Sequence, residues 1–311
     1  MVIRFSVLRL TCRVTKLTKI PQFPGSMLRG GFGINLKRQC CRQTEMCLGE
    51  CIQNKKCVYG AIFETPLKDI SILGKVEKAP RQFSIYPITQ GPLLLEPNQE
   101  LAFLWTIWGK TLDYLPYSVL AWVEFGKKGI GVNRSPAVLS HIEDVFTGKF
   151  IYTDEDRKIA EPSIKEFTIE EDNSEASVII ETLSPIRLKY KNKLLGKNEP
   201  NKFNLPSDVF FFHLIRRIQN LFTYDQDEFI NSLYDRLDEV KNYSSEFKWQ
   251  EITRYSNRQR QYLQMGGIVG TLAWDSLPSV WIKLLEIGEW LQIGKGTTMG
   301  LGKYKLTLEN K

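Results

Sequence analysis

Apolar and polar positions alternate along "VIRFSVLRLTCRV", with one change of phase. Ile3, Phe5 and Val7 share one parity; Leu8, Leu10, Cys12 and Val14 share the other. The alternation predicts a long strand, and the phase change predicts a bulge between Val7 and Leu8. "PQFPGSMLRGGFGINLKRQ" opens on turn residues and becomes helical near Ser26, the expected N-cap. "RQFSIYPIT" and "LAFLWTIWG" read as strands. Leu112, Leu115, Val119 and Trp122 then recur at helical spacing, up to "EFG". "GKKGIGVNR" reads as a Gly/Lys loop and "SPAVLSHIEDV" as a strand.

The same order returns in the second half. "ASVIIETL" is a strand, and "PSDVFFFHLIRRIQNLF" is a helix capped by Ser207 or Asp208. "RYSNRQRQYLQ" and "GGIVGTLAW" read as strands. In "SVWIKLLEIG" the residues Val280, Trp281, Leu284 and Leu285 share one helix face, and "KYKLTLE" closes the chain as a strand. Each half parses as β-α-β-β-α-β. This predicts an α+β protein of two tandem ferredoxin-like domains, each an antiparallel sheet with helices on one face. The expected boundaries are a first domain at 1–150 with a Cys-rich insertion at about 40–60, an acidic connector at 151–175, and a second domain at 176–311. Internal duplication is the simplest account.

Charge sharpens this picture. The net charge is +7 over 311 residues, which points to an anionic partner. It is uneven: residues 1–60 hold eleven Lys/Arg and two acids, whereas 154–181 hold ten acids and three bases. No run of eighteen apolar residues predicts a membrane span, and the arginine-studded N-terminus is unlike a signal peptide, so the expectation is a cytoplasmic protein. In such a reducing compartment, five cysteines within eighteen residues favour a metal over disulfides. Cys41, Cys47, Cys51 and Cys57, with Cys40 as an alternative, are the expected ligands of a structural zinc or an iron–sulfur cluster.

The chain ends on "LQIGKGTTMGLGKYKLTLENK". A Walker A loop fails here, because Leu301 and Met299 stand where its second glycine belongs and Tyr304 follows Lys303. A dinucleotide loop fails too: Met299 replaces the third glycine, and the loop runs from helix to strand. What remains is bare backbone able to approach a phosphodiester, with lysines beside it. The loop at Gly126–Gly131, with Lys127 and Lys128, repeats the arrangement.

Four segments, "LRGGFGINLK" with its follow-on "CVYGAIFE", "SPIRLK", "RYSNRQRQYLQMGGIVG" and "IGKGTTMGLGKY", carry a resemblance to the RAMP superfamily of RRM-like RNA-binding proteins. More narrowly, the chain resembles the CRISPR precursor-RNA-processing endoribonucleases. The resemblance implies cleavage of CRISPR repeat RNA with no cofactor for catalysis. The 2′-hydroxyl attacks the adjacent phosphodiester and leaves a 2′,3′-cyclic phosphate and a 5′-hydroxyl. It also implies delivery of the guide RNA to an interference complex. A homodimer stays open, and a non-catalytic RNA-binding subunit is the rival reading.

In-line attack needs a base, an acid and a cation. Many members of the resembled family carry a histidine in or near the first helix; this helix offers Arg29, Lys37 and Arg38. In "RYSNRQRQ", read as one strand, Arg254, Ser256, Arg258 and Arg260 share a face opposite Tyr255. Guanidinium groups suit phosphates, and a tyrosine can stack or donate a proton. Tyr255, Arg258 and His141 are the expected chemical residues. Arg29, Lys37, Arg38, Arg254, Gly294, Lys295, Gly296, Gly300, Gly302 and Lys303 are the expected RNA contacts. His213 shares a helix face with Arg216, Arg217 and Asn220 and reads as a surface histidine without a duty.

Overall fold

The structure, a computed structural model, describes residues 2–41, 57–63, 80–170, 172–222, 227–256 and 261–309. It divides into two compact units, Arg4–Lys165 and Glu166–Lys311, the latter with Met1–Ile3.

The frame of the first unit is β1 (Val2–Val14), α1 (Pro24–Cys40), β2 (Phe83–Pro87), β3 (Glu100–Ile107), α2 (Leu115–Lys128) and β4 (Ala137–Asp144). Its antiparallel sheet runs β2-β3-β1-β4, the ferredoxin-like order. Leu8, Leu10, Cys12 and Val14 join the core that includes α1 and α2 residues. Phe32 of α1 stacks on Trp122 of α2, with ring centroids 4.6 Å apart. The expected bulge moves. β1 pairs without a break against β3 from Ser6 to Arg13. The register shift lies against β4 at Thr11/Cys12, where Ser140 is the extra residue. The phase change has another cause: the buried face switches, with Ile3, Phe5 and Val7 buried while Val2 and Arg4 are exposed, and both parities buried from Phe5 to Leu8. α1 also starts earlier than expected. Pro24 takes its first turn and no side chain caps it; a proline at that position needs no amide partner.

The stretch expected as a connector contributes strands. Phe150–Thr153 pairs with β4, and Lys165–Thr168 pairs with β1. Ile151 and Tyr152 are the buried anchors of the first of these, and the acids flanking them hid the pattern.

The second unit repeats the frame with β5 (Glu175–Thr182), α3 (Ser207–Phe222), β6 (Ser244–Gln250), β7 (Gly267–Pro278), α4 (Ser279–Leu291) and β8 (Tyr304–Glu309). Its sheet runs β6-β7-β5-β8, the same order again, with every pairing antiparallel. Phe211 of α3 meets Trp274 and Trp281 at 5.4 and 4.9 Å between centroids. Val280, Trp281, Leu284 and Leu285 are all fully buried, as their spacing predicts. Among the described residues no helix is long and apolar enough to cross a membrane.

Candidate nucleic-acid interface

The glycine loop joins α4 to β8 and is held mostly by its own backbone. Ile293 and Gly302 pair through an amide-to-carbonyl bond of 2.9 Å, and Met299 donates to Gly296 O at 2.8 Å. Gly302 sits at φ +81°, and a Cβ there would stand 1.9 Å from Ile293 O; no side chain fits. Gly300 and Gly302 are buried, so the expectation that they face RNA is corrected. They close the loop upon itself.

Lys303 is corrected too. It is 5% exposed, its Nζ donates to Glu289 O at 2.6 Å, and it lies 4.5 Å from the Trp290 ring centroid. Burial pushes its ammonium down to about 8, partly opposed by Glu289. It is a core brace, not a phosphate contact. Lys295 is exposed, with Gly294 and Gly296 half-buried on either side.

The stretch Ser184–Lys189 laces this loop to the sheet. Leu183 and Ser184 donate to Lys303 O, Gly302 donates to Pro185 O, and Lys295 donates to Arg187 O at 3.0 Å. On its other side Ile186 exchanges both backbone bonds with Ile268 of β7, and Arg187 Nη1 reaches Gly266 O at 3.5 Å. Helix α3 closes the third side. His213 Nε2 lies 2.9 Å from Lys189 O. Arg217, one turn on, donates from Nε and Nη2 to Leu291 O (3.1 and 2.6 Å) and from Nη2 to Thr297 Oγ1 (3.1 Å). Burial pushes the Arg217 guanidinium down to about 9.

The charges that gather here are alike. Burial, then Lys189 and Arg187, lower the Lys295 ammonium. Burial lowers His213, its bond to Lys189 opposes this, and Arg216 and Lys295 lower it further. Cations packed against cations are stabilised by an anion placed among them. Arg187, Lys189, Arg216 and Arg217 were not singled out as RNA contacts from the sequence. The basic alternation in "SPIRLK" was the available signal for the first two.

The segment Thr253–Gln264 departs from the single strand expected of it. Thr253–Ser256 and Gln261–Gln264 pair as an antiparallel hairpin; polar alternation alone does not separate one strand from two short ones. Tyr255 faces Tyr262 across the ladder, edge to face at 5.2 Å, and the two are 48% and 74% exposed. Tyr262 was missed because it sits on the returning strand. Arg254 is half-buried, and Arg258 lies outside the described residues.

The other expected residues belong to the first unit. His141 stands on β4 opposite Thr11 and Thr153, its ring 5.2 Å from Phe150. On α1, Arg29 lies 5.9 Å from the Phe63 ring, Lys37 is half-buried and Arg38 is exposed. Lys127 and Lys128, expected in a loop, form the last turn of α2. Cys47 and Cys51 lie outside the described residues. Cys57 Sγ accepts from Gly60 N at 3.4 Å. Among the described residues no group of three or more His, Cys, Asp or Glu could hold a metal ion.

Tandem ferredoxin-like units, with this braced loop joining α4 to β8 of the second, define the fold. Residues 3–164 match the family model of the AF_1859 N-terminal domain, and residues 180–304 match that of the CRISPR-associated endoribonuclease Cas6. The first model spans over half of the chain, which belongs to that family; the second unit is a Cas6-like domain. A curated relative, an uncharacterized protein of Archaeoglobus fulgidus, is 23% identical over 297 residues, 92% of each chain. Among solved structures, a Cas6 product complex shares the fold at TM-score 0.57 and 13% identity, covering 97% of this chain and 100% of that one. Thermus thermophilus Cas6 does so at 0.53 and 12%, covering 97% and 98%. A partial Cas6-RT-Cas1–Cas2 complex matches at 0.58 and 13% over 99% of this chain, which spans only 46% of that one.

Proposed function

We propose that this protein cuts CRISPR repeat RNA at one phosphodiester without a metal. The 2′-hydroxyl attacks the adjacent phosphorus, leaving a 2′,3′-cyclic phosphate and a 5′-hydroxyl. The observation that carries the reading is the braced glycine loop on a Cas6-like domain, with Lys295, Arg187, Lys189 and Arg216 around it. An RNA backbone supplies the anion these groups lack. The paired rings of Tyr255 and Tyr262 suit an unstacked base. Tyr255, Arg258 and His141 are proposed to assist the chemistry, and Arg29, Lys37, Arg38 and Arg254 to hold the backbone. The finished guide RNA passes to an interference complex. Cys41, Cys47, Cys51 and Cys57 are proposed to staple their loop through a structural metal.

One observation favours a second reading, a non-catalytic RNA-binding subunit: α1 carries no histidine. End-labelled repeat RNA in excess EDTA, beside the same RNA with a 2′-deoxy nucleotide at the mapped cut, separates the two. One cut in the first and none in the second is expected. Tight binding with both left intact gives the protein to the subunit reading.

A further inference from the structure

The expected chemical residues leave a gap. Within the second unit the described member of that set is Tyr255, whose hydroxyl is a proton donor rather than a base. His213 is in the cationic cluster around the glycine loop.

Its placement rests on hydrogen bonds from three elements. His213 and Arg217 are one turn apart on α3. The first meets Lys189 O, and the second meets Leu291 O and Thr297 Oγ1. Lys295 lies between those two loop contacts in sequence, and its amide is fixed on Arg187 O. Helix face, laced segment and loop thus enclose one surface. The charged and titratable groups on it are Arg216 from α3, Arg187 and Lys189 from the segment, and Lys295 from the loop. From the neighbouring helix Glu228–Asp235, Tyr234 packs on Phe212 at 5.3 Å. A carbonyl only accepts, so the bond to Lys189 O places the imidazole proton on Nε2. Nδ1 is left as a lone-pair base.

We propose that His213 and Lys295 are the proton-transfer pair of the RNA cleavage: His213 Nδ1 takes the 2′-hydroxyl proton and Lys295 Nζ protonates the departing 5′-oxygen. This rests on the nuclease reading. The step balances. The O2′–H bond breaks and its proton passes to Nδ1. The O2′–P bond forms as P–O5′ breaks, and O5′ takes a proton from the Lys295 ammonium. Solvent then carries the proton from the imidazolium to the lysine amine, which restores both groups. Arg187, Lys189 and Arg216 stabilise the crowded phosphorane. Burial and cationic neighbours lower both groups, against the bond to Lys189 in the histidine's case, which favours the free imidazole and makes the lysine a better acid.

The test uses the full chain in EDTA with repeat RNA, a 2′-deoxy repeat for binding, and a repeat whose cleaved 5′-oxygen is replaced by sulfur. His213→Gln keeps an amide N–H for Lys189 O. It is expected to slow cutting about 100-fold or more, bind the deoxy repeat within about threefold of wild type, and lose the acidic limb of the pH profile. Added imidazole is expected to restore part of the rate in His213→Ala. Lys295→Met is expected to regain most of its rate on the sulfur substrate, whose leaving group needs no proton, whereas His213→Gln is not.

If His213→Gln cuts within about threefold of wild type with the same limb, the pair is wrong and the nuclease reading stands. Equal losses of binding and cutting make His213 a contact only, which also overturns it. Wild-type protein that binds but never cuts removes both readings at once.

Discussion

In each unit a glycine-rich turn joins the second helix of the frame to the strand that follows it, β4 in one and β8 in the other, and the two turns differ in what surrounds them. In the first, Lys127 lies in the helix and its ammonium is 2.8 Å from Glu124. The turn itself is tied to backbone: Ile130 and Ser135 exchange amide bonds, and Val132 donates to Lys19 O. In the second, Lys295 stands clear of the helix, and the charges that act on it, Lys189 and Arg187, are of its own sign. Arg217, half-buried, braces the turn through Leu291 O and Thr297 Oγ1. The topology of a repeated fold supplies the turn. The charges beside it differ: a paired lysine in the first, and like-charged neighbours around Lys295 in the second.

The largest effect should come from filling the loop. Gly302→Ala drives a methyl into Ile293 O and holds alanine at φ +81°. It should cost about 3 kcal/mol or more and abolish RNA binding. Gly129→Ala meets Arg134 O at 2.2 Å at φ +105° and should cost a comparable amount. Its folded fraction, however, should bind RNA within about threefold of wild type, well under one tenfold step of 1.4 kcal/mol. Melting curves and filter binding corrected for folded protein check both. Equal binding losses would break the comparison.

A smaller effect separates the lysines. Lys295→Ala should lower the slope of log affinity against log salt by about 0.7, the value for one phosphate contact on a single strand. Lys127→Ala should leave the slope unchanged, because its charge is already paired with Glu124. Binding titrations across salt concentrations measure both.

Much of this frame was legible. Spacing such as Val280, Trp281, Leu284 and Leu285 marks a buried helix face, and the β-α-β-β-α-β order follows from the sequence of such patterns. The site was legible only in part. "RYSNRQRQYLQ" is polar but for Tyr255, Tyr262 and Leu263, too few apolar positions for its hairpin to leave a periodic trace, and Tyr262 went unseen beside Tyr255. Arg217 looked like one more basic residue on a helix; its value lies in reaching Leu291 and Thr297, 74 and 80 positions away. Lys303 looked like Lys295 because glycines flank both. Burial, which composition does not reveal, makes Lys303 a brace and leaves Lys295 exposed.

That last pair gives the smallest and sharpest prediction. Lys303 titrates at about 8 in the folded protein against an ordinary 10.5. Between these values the unfolded chain holds a proton that the folded chain has released, so stability rises with pH across this window. Full neutralisation of the side chain is worth on the order of 1–2 kcal/mol after allowance for relaxation around a buried amine. Above about pH 10 the buried Tyr304 hydroxyl opposes the trend, since burial holds its pKa well above 10 and the unfolded chain ionises first. Cys12 and Cys40, which burial raises to about 12 and about 11, oppose the trend from about pH 9, and Arg217, lowered to about 9, adds to it. All three are common to wild type and a Lys303 variant, so the difference between those two isolates Lys303 from pH 8 to 10. Urea melts there should show wild type gaining stability relative to Lys303→Met, whose side chain fills the same space without a charge. Lys295→Met should lose a smaller gain of the same sign, because burial, Lys189 and Arg187 lower the Lys295 ammonium less than burial lowers Lys303. If Lys303→Met tracked wild type across the interval, the inward brace would be wrong.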